Sequence, residues 1–137
     1  MGGNCLVDGA AANFYDYAKE TKYDMRLPLV SNRSGEMINV CIQGFDDTAH
    51  AVKFYGPVLK NVEYRQAAPI GDYQTAFAKR ADALRISPAF SCNCILNYLF
   101  GHLEGKRGMP IGGPATFGEI AYVLLNQTMV YLTVDEI

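Results

Sequence analysis

Met37-Ile-Asn-Val-Cys-Ile-Gln43, Gly44-Phe-Asp-Asp47 and Thr48-Ala-His-Ala-Val-Lys-Phe-Tyr55 follow one another without a break. The first segment alternates Met37, Asn39 and Cys41 against Ile38, Val40 and Ile42, the two-residue period of a strand with two largely apolar faces. The second has turn chemistry and the third again reads as a strand, so the three predict a hairpin. Upstream, Ser31-Asn-Arg-Ser-Gly35 is a turn by composition, and Arg26-Leu-Pro-Leu-Val30 reads as an edge segment because Pro28 cannot donate to a ladder. Downstream, Gly56-Pro57 breaks the hairpin and Asn61 to Gln66 reads as a third strand.

Helices flank this meander. Asp8 to Thr21 places Ala11, Phe14, Tyr15 and Ala18 on one helical face, with Asp8 as the expected cap. Asp72 is the expected N-cap of a helix over Tyr73 to Leu84, with Phe77, Ala81 and Leu84 facing inward. Pro88 to Cys92 is a short apolar run, and Asn93 opens a helix to Leu103 that Gly105-Lys-Arg-Gly108 ends. Met109 to Gly113 reads as a brief strand, Pro114 to Gly118 as a loop, Glu119 to Tyr122 as extended and Gln127 to Val134 as a final strand. The fold class predicted is α/β of the α+β kind: a twisted, mostly antiparallel sheet with helices packed on it, in one domain over residues 1–137.

Composition excludes several function classes. The net charge of −2 supplies no basic excess to neutralise phosphates, so nucleic acid is not an expected partner. Apolar runs such as Ala121 to Leu125 are far below the ~20 residues of a membrane span. Met1-Gly-Gly-Asn4 has no basic segment leading into an apolar one, so no signal peptide is expected. Cys5, Cys41, Cys92 and Cys94 show no secreted disulfide spacing, which predicts reduced thiols and a cytoplasmic location.

Three stretches hold the candidate chemistry. In Phe90-Ser-Cys-Asn-Cys94 a strand is expected to give way to a helix. Such an end favours an anionic group and would lower the Cys92 pKa; a buried, inert Cys is the alternative. In Gly112-Gly-Pro-Ala-Thr-Phe-Gly-Glu-Ile120, three glycines permit close backbone approach, and Glu119 lies among apolar neighbours. A carboxylate there must find donors or become neutral: it either holds a ligand amine or hydroxyl or bonds the neighbouring backbone amides. Asn126-Gln-Thr128 precedes the last strand, and its side chains either face a pocket or close a turn locally. No phosphate loop, zinc spacing or nucleophile elbow is present, and His50 and His102 read as surface or packing residues.

These residues resemble the C-terminal domain of FIST proteins, a bacterial sensory module. Gly35-Glu-Met-Ile-Asn-Val40, Gly44-Phe-Asp-Asp47 and Val52-Lys-Phe-Tyr-Gly56 are similar to its central meander. Phe90-Ser-Cys92, Gly118-Glu-Ile120 and Asn126-Gln-Thr128 are similar to its strand-end and closing motifs, so the resemblance covers nearly the whole chain. It implies a non-enzymatic, small-molecule-sensing signal-transduction module, with amino acids as the suggested ligands and no cofactor. The matched ligand-binding positions are Ser91, Cys92, Gly113, Gly118, Glu119, Asn126 and Thr128. The implied partners are a signalling protein or a FIST N-terminal half, and a second copy of the chain. The chain departs from the family where Asn93-Cys-Ile-Leu96 replaces an expected Arg, and where Ala115-Thr116 stands in place of an aromatic after Gly113-Pro114. The alternatives are a structural or protein-interaction domain without a ligand, a haem-based nitric-oxide sensor and a thiol-redox protein.

Overall fold

Asp8-Gly9 has positive φ at both residues, 50° and 84°, the backbone of a tight hairpin turn for which Asp-Gly is a favoured pair. A computed structural model describes residues 4–83, 88–105 and 113–134. Its internal contacts gather into two compact units, Met1–Ala67 and Ala68–Ile137.

In the first unit the Asp8-Gly9 turn joins β1 (Asn4–Val7) to β2 (Ala10–Asn13), an antiparallel pair with Leu6 opposite Ala11. The expected helix therefore starts later, as α1 (Phe14–Glu20), and Asp8 is a hairpin residue rather than its cap. Asn13 takes that role: its Oδ1 accepts the Tyr15 N–H at 2.8 Å. Tyr15 and Ala18 form the buried stripe of α1. Tyr15, Ile42 and Val52 make the core, with Phe14, Tyr23, Phe45 and Phe54 packed on it.

β3 (Leu29–Arg33) and β4 (Glu36–Val40) form a second hairpin around Ser34-Gly35, whose φ values are 57° and 98°. The five-residue turn expected over residues 31–35 shrinks to these two. Ser31 is buried inside β3, and its hydroxyl donates to the Ile38 carbonyl at 3.4 Å, so a polar residue is accommodated within the strand. β7 (Arg65–Gln66) pairs with the other side of β3, so the expected edge segment is in fact the middle strand of three. The third expected strand is confined to those two residues.

The predicted hairpin at Gly44 exists with a shifted turn. β5 (Ile42–Asp46) runs through Gly44 and pairs with β6 (Ala51–Phe54), with an irregularity in register between Ile42 and Gly44. Asp46 Oδ1 accepts the Ala49 N–H at 3.0 Å and closes the turn that follows. The long strand expected over residues 37–43 is cut at Cys41, whose carbonyl accepts the Tyr55 N–H at 3.0 Å. Tyr15 Oη donates to Asp47 Oδ1 at 2.6 Å, and Lys19 Nζ pairs with the same oxygen at 2.9 Å, tying α1 to the β5–β6 turn.

In the second unit Asp72 begins α2 (Tyr73–Ala83) as expected, its Oδ1 accepting the Thr75 N–H at 3.1 Å. Leu84 lies outside the described residues. β8 (Phe90–Cys94) is the centre of a three-stranded sheet. On one side it is parallel to β9 (Ala115–Thr116), and on the other antiparallel to β12 (Met129–Leu132). The strand runs two residues past the expected helix start. Asn93 N–H donates to the Pro114 carbonyl at 3.2 Å and Cys94 N–H to the Thr128 carbonyl at 3.0 Å, so ladder bonds hold both residues extended. The helix is α3 (Ile95–Phe100), shorter than expected. β10 (Glu119–Ala121) and β11 (Val123–Leu125) form a hairpin that reverses at Tyr122, φ 66°. The β11 strand is not anticipated by the pattern, and the strand expected over Met109 to Gly113 falls almost wholly outside the described residues.

The fold class is α+β. Every described strand pair except β8–β9 is antiparallel, and the strands are shared among small sheets of two or three. No described helix is long and apolar enough to cross a membrane.

Candidate functional site

β8 is the scaffold of the site. Strand alternation points Ser91 and Cys92 to opposite faces, opposite Tyr131 and Val130 of β12. Ser91 is buried at 1 % exposure, whereas Cys92 is half-buried. Gly113 lies against Ser91: a Cβ built there would stand 1.9 Å from the Ser91 carbonyl oxygen, and its φ of 152° also favours glycine. The glycine is thus required by backbone packing. Gly112 lies outside the described residues.

Glu119 opens β10 and pairs across the hairpin with Leu125. Its side chain is 1 % exposed. The Thr116 hydroxyl donates to Glu119 Oε1 across the Phe117-Gly118 turn. Oε2 is buried with no hydrogen-bond partner among the described residues, and it is the one described side-chain oxygen or nitrogen in that condition. Burial pushes the Glu119 carboxyl above its ordinary pKa, and the Thr116 bond and a backbone bond offset this in part. The carboxyl is therefore biased toward its neutral form.

Gly118 lets this turn close. A Cβ there would meet the Leu124 side chain at 3.0 Å, the Leu125 carbonyl at 3.1 Å and Asn126 Nδ2 at 3.3 Å. Asn126 is 1 % exposed, and its Nδ2 reaches the Leu125 carbonyl at 3.4 Å. Thr128 Oγ1 donates to the Asn126 carbonyl at 2.8 Å around Gln127, whose φ is 51°. Of the two readings of Asn126-Gln-Thr128, the local turn describes Thr128.

The sequence candidates therefore gather in one unit with distinct tasks. Gly113 and Gly118 permit close packing, Thr128 closes a turn, and Ser91 and Asn126 are buried polar groups of the frame. Glu119 is the residue with unspent hydrogen-bonding capacity. The expected lowering of the Cys92 pKa is reversed. Cys92 lies within β8 rather than at a helix start, and burial, then the Glu119 charge, push its thiol up. Cys94 occupies the N-cap position of α3 without a side-chain capping bond.

Thr116 was not foreseen, although Thr116-Phe-Gly-Glu119 has the Thr-x-x-Glu spacing at which hydroxyl and carboxyl meet across one turn. A second polar cluster was also missed. Tyr73 Oη donates to Asn97 Oδ1, Asn97 Nδ2 to Asn93 Oδ1 at 3.0 Å, and Gln127 Nε2 reaches Tyr73 Oη at 3.5 Å. Among the described residues no three His, Cys, Asp or Glu side chains are grouped to hold a metal ion.

Residues 2–135 match the model of a family described as a family of unknown function (DUF6976), and the chain belongs to that family. No curated protein and no solved structure matches the chain.

Proposed function

We propose that this member of the family is a small-molecule-sensing module of signal transduction, with its ligand held at Glu119. One observation carries the reading: a carboxylate oxygen, Oε2, is buried without a partner among the described residues. Leaving such a group unsatisfied costs about 1–3 kcal/mol, and a ligand donor would recover that free energy. The β10–β11 pair is hydrogen-bonded into no larger sheet among the described strands. Glu119 is the first residue of that hairpin and would move with it without breaking a longer ladder, which couples occupancy to the hairpin's position. The resemblance to FIST C-terminal domains supplies the signalling context, and four free cysteines support a reducing, cytoplasmic setting. Thermal-shift screening against amino acids and related metabolites tests the reading. A stabilising ligand whose effect is lost in Glu119→Gln is expected; a silent screen with a silent variant rejects it.

A second reading, a protein-interaction domain, is favoured by the outer surface of the same hairpin. Phe117 is 85 % exposed, Ile120 76 % and Tyr122 fully, and Ile120 faces Leu124 across the pair. Contiguous exposed apolar side chains mark contact surfaces. Here Ile120→Lys is expected to reduce self-association measured by sedimentation. A wild-type chain that stays monomeric at high concentration removes the self-association form of this reading.

A further inference from the structure

We propose that the ligand of the Glu119 site is a small organic cation, a primary amine or guanidine on an apolar body, carrying no carboxylate. The inference rests on the sensing reading and names its ligand class. Glu119 Oε2 is an acceptor with no donor among the described residues and is withdrawn from water. Oε1 already receives the Thr116 hydroxyl, so the carboxylate presents one open oxygen, suited to an N–H. An ionised donor makes the stronger bond there, because a charge-assisted pair gains more than a neutral one at a buried carboxylate.

The described ion pairs give an anion no counter-charge at Glu119. The ion pairs Lys19–Asp47, Arg26–Asp24, Lys53–Asp46 and Arg65–Glu63, with the His50–Asp16 contact, all lie within Met1–Ala67. No described Lys or Arg pairs with Glu119. Among the described residues an anionic ligand would meet Glu119 without a paired counter-charge, and so would the carboxylate of a free amino acid. Cys92 on β8 is the described titratable group that senses the Glu119 charge, and it too is destabilised as an anion by that charge. Leu125, directly opposite Glu119 on the same face of the β10–β11 hairpin, supplies apolar surface for the ligand body.

Binding a cation requires Glu119 to be ionised, while burial favours its neutral form. Affinity therefore strengthens as pH rises and weakens about tenfold per pH unit below the Glu119 titration.

The test uses the whole chain with n-butylamine and butylguanidine, set against norleucine and butyrate. Either cation, at several times its Kd, is expected to raise Tm by about 4 °C. Norleucine and butyrate are expected to give no shift, and Glu119→Gln to abolish the response to the cations. Wild-type calorimetry, which needs no variant, is expected to show the cation affinity falling as pH is lowered toward the ordinary Glu value near 4.5. A cation shift that survives in a folded Glu119→Gln chain overturns the proposal, as does an affinity that is flat over that range. Stabilisation by norleucine through Glu119, with none by the amines, overturns the cation class and leaves the sensing reading standing. Silence from these probes and from the amino-acid and metabolite screen overturns both.

Discussion

Glu119 sets the terms at the residue scale. Its folded pKa is raised by burial, so the folded state holds the proton more tightly than the unfolded chain does. The stability this proton contributes is fully present below the unfolded value, near 4.5, and is lost as pH rises through the folded value. Glu119→Gln keeps the shape and removes the titration. In urea unfolding at a series of pH values, the variant is expected to gain on the wild type as pH rises across that window. A constant difference between the two chains would contradict the raised pKa. Gly113 makes a different demand, because a side chain there collides with backbone rather than with a movable group. Gly113→Ala is expected to cost about 3 kcal/mol or more, read as a fall in the denaturant midpoint. Both residues were legible as candidates from the sequence. The reason for each was not, since close approach to Ser91 and the bond from Thr116 depend on where chain segments meet.

At the scale of elements, local chemistry was readable wherever one mechanism acted alone. Asp72 caps α2 as its sequence context predicts. At Asp8-Gly9 two mechanisms competed: Asp can cap a helix or open a tight hairpin, and the following glycine with positive φ decides for the hairpin. The apolar spacing from Ala11 to Ala18 then spans a strand and a helix, which periodicity alone does not separate. Asn13 carries the cap that Asp8 was expected to provide. Asn13→Ala is expected to destabilise the chain by about 1 kcal/mol, while Asn13→Asp keeps most of the stability, as equilibrium unfolding would show. The end of β8 was misplaced for a related reason. Asn93 and Cys94 have no strong preference of their own, and bonds to the Pro114 and Thr128 carbonyls keep them extended.

Across the whole molecule, the raised Glu119 stands against depressed aspartates in both units, Asp72 in the second among them. In the first, the Tyr15 hydroxyl and then Lys19 hold Asp47 below the usual carboxylate range, and Asp24 and Asp46 are lowered as well. A depressed carboxylate contributes stability above its unfolded pKa and loses it as pH falls through the folded one. The advantage of wild type over Asp47→Asn is therefore expected to shrink on acidification. That is the reverse of the Glu119 trend, and the same urea series would show it. The α+β class was legible because strand alternation and turn residues are local signals. The division of the strands into small sheets was not, because it depends on pairings between distant segments.

A carboxylic acid shut away from water also has a vibrational signature. Its C=O stretch stands apart from the carboxylate bands and is sharpened by a uniform, dry surrounding. Glu119 is the buried acidic side chain of the described chain, so a pH-difference infrared spectrum should report its proton directly. A bound cation would then be visible as the loss of that band, with no label attached and no residue changed.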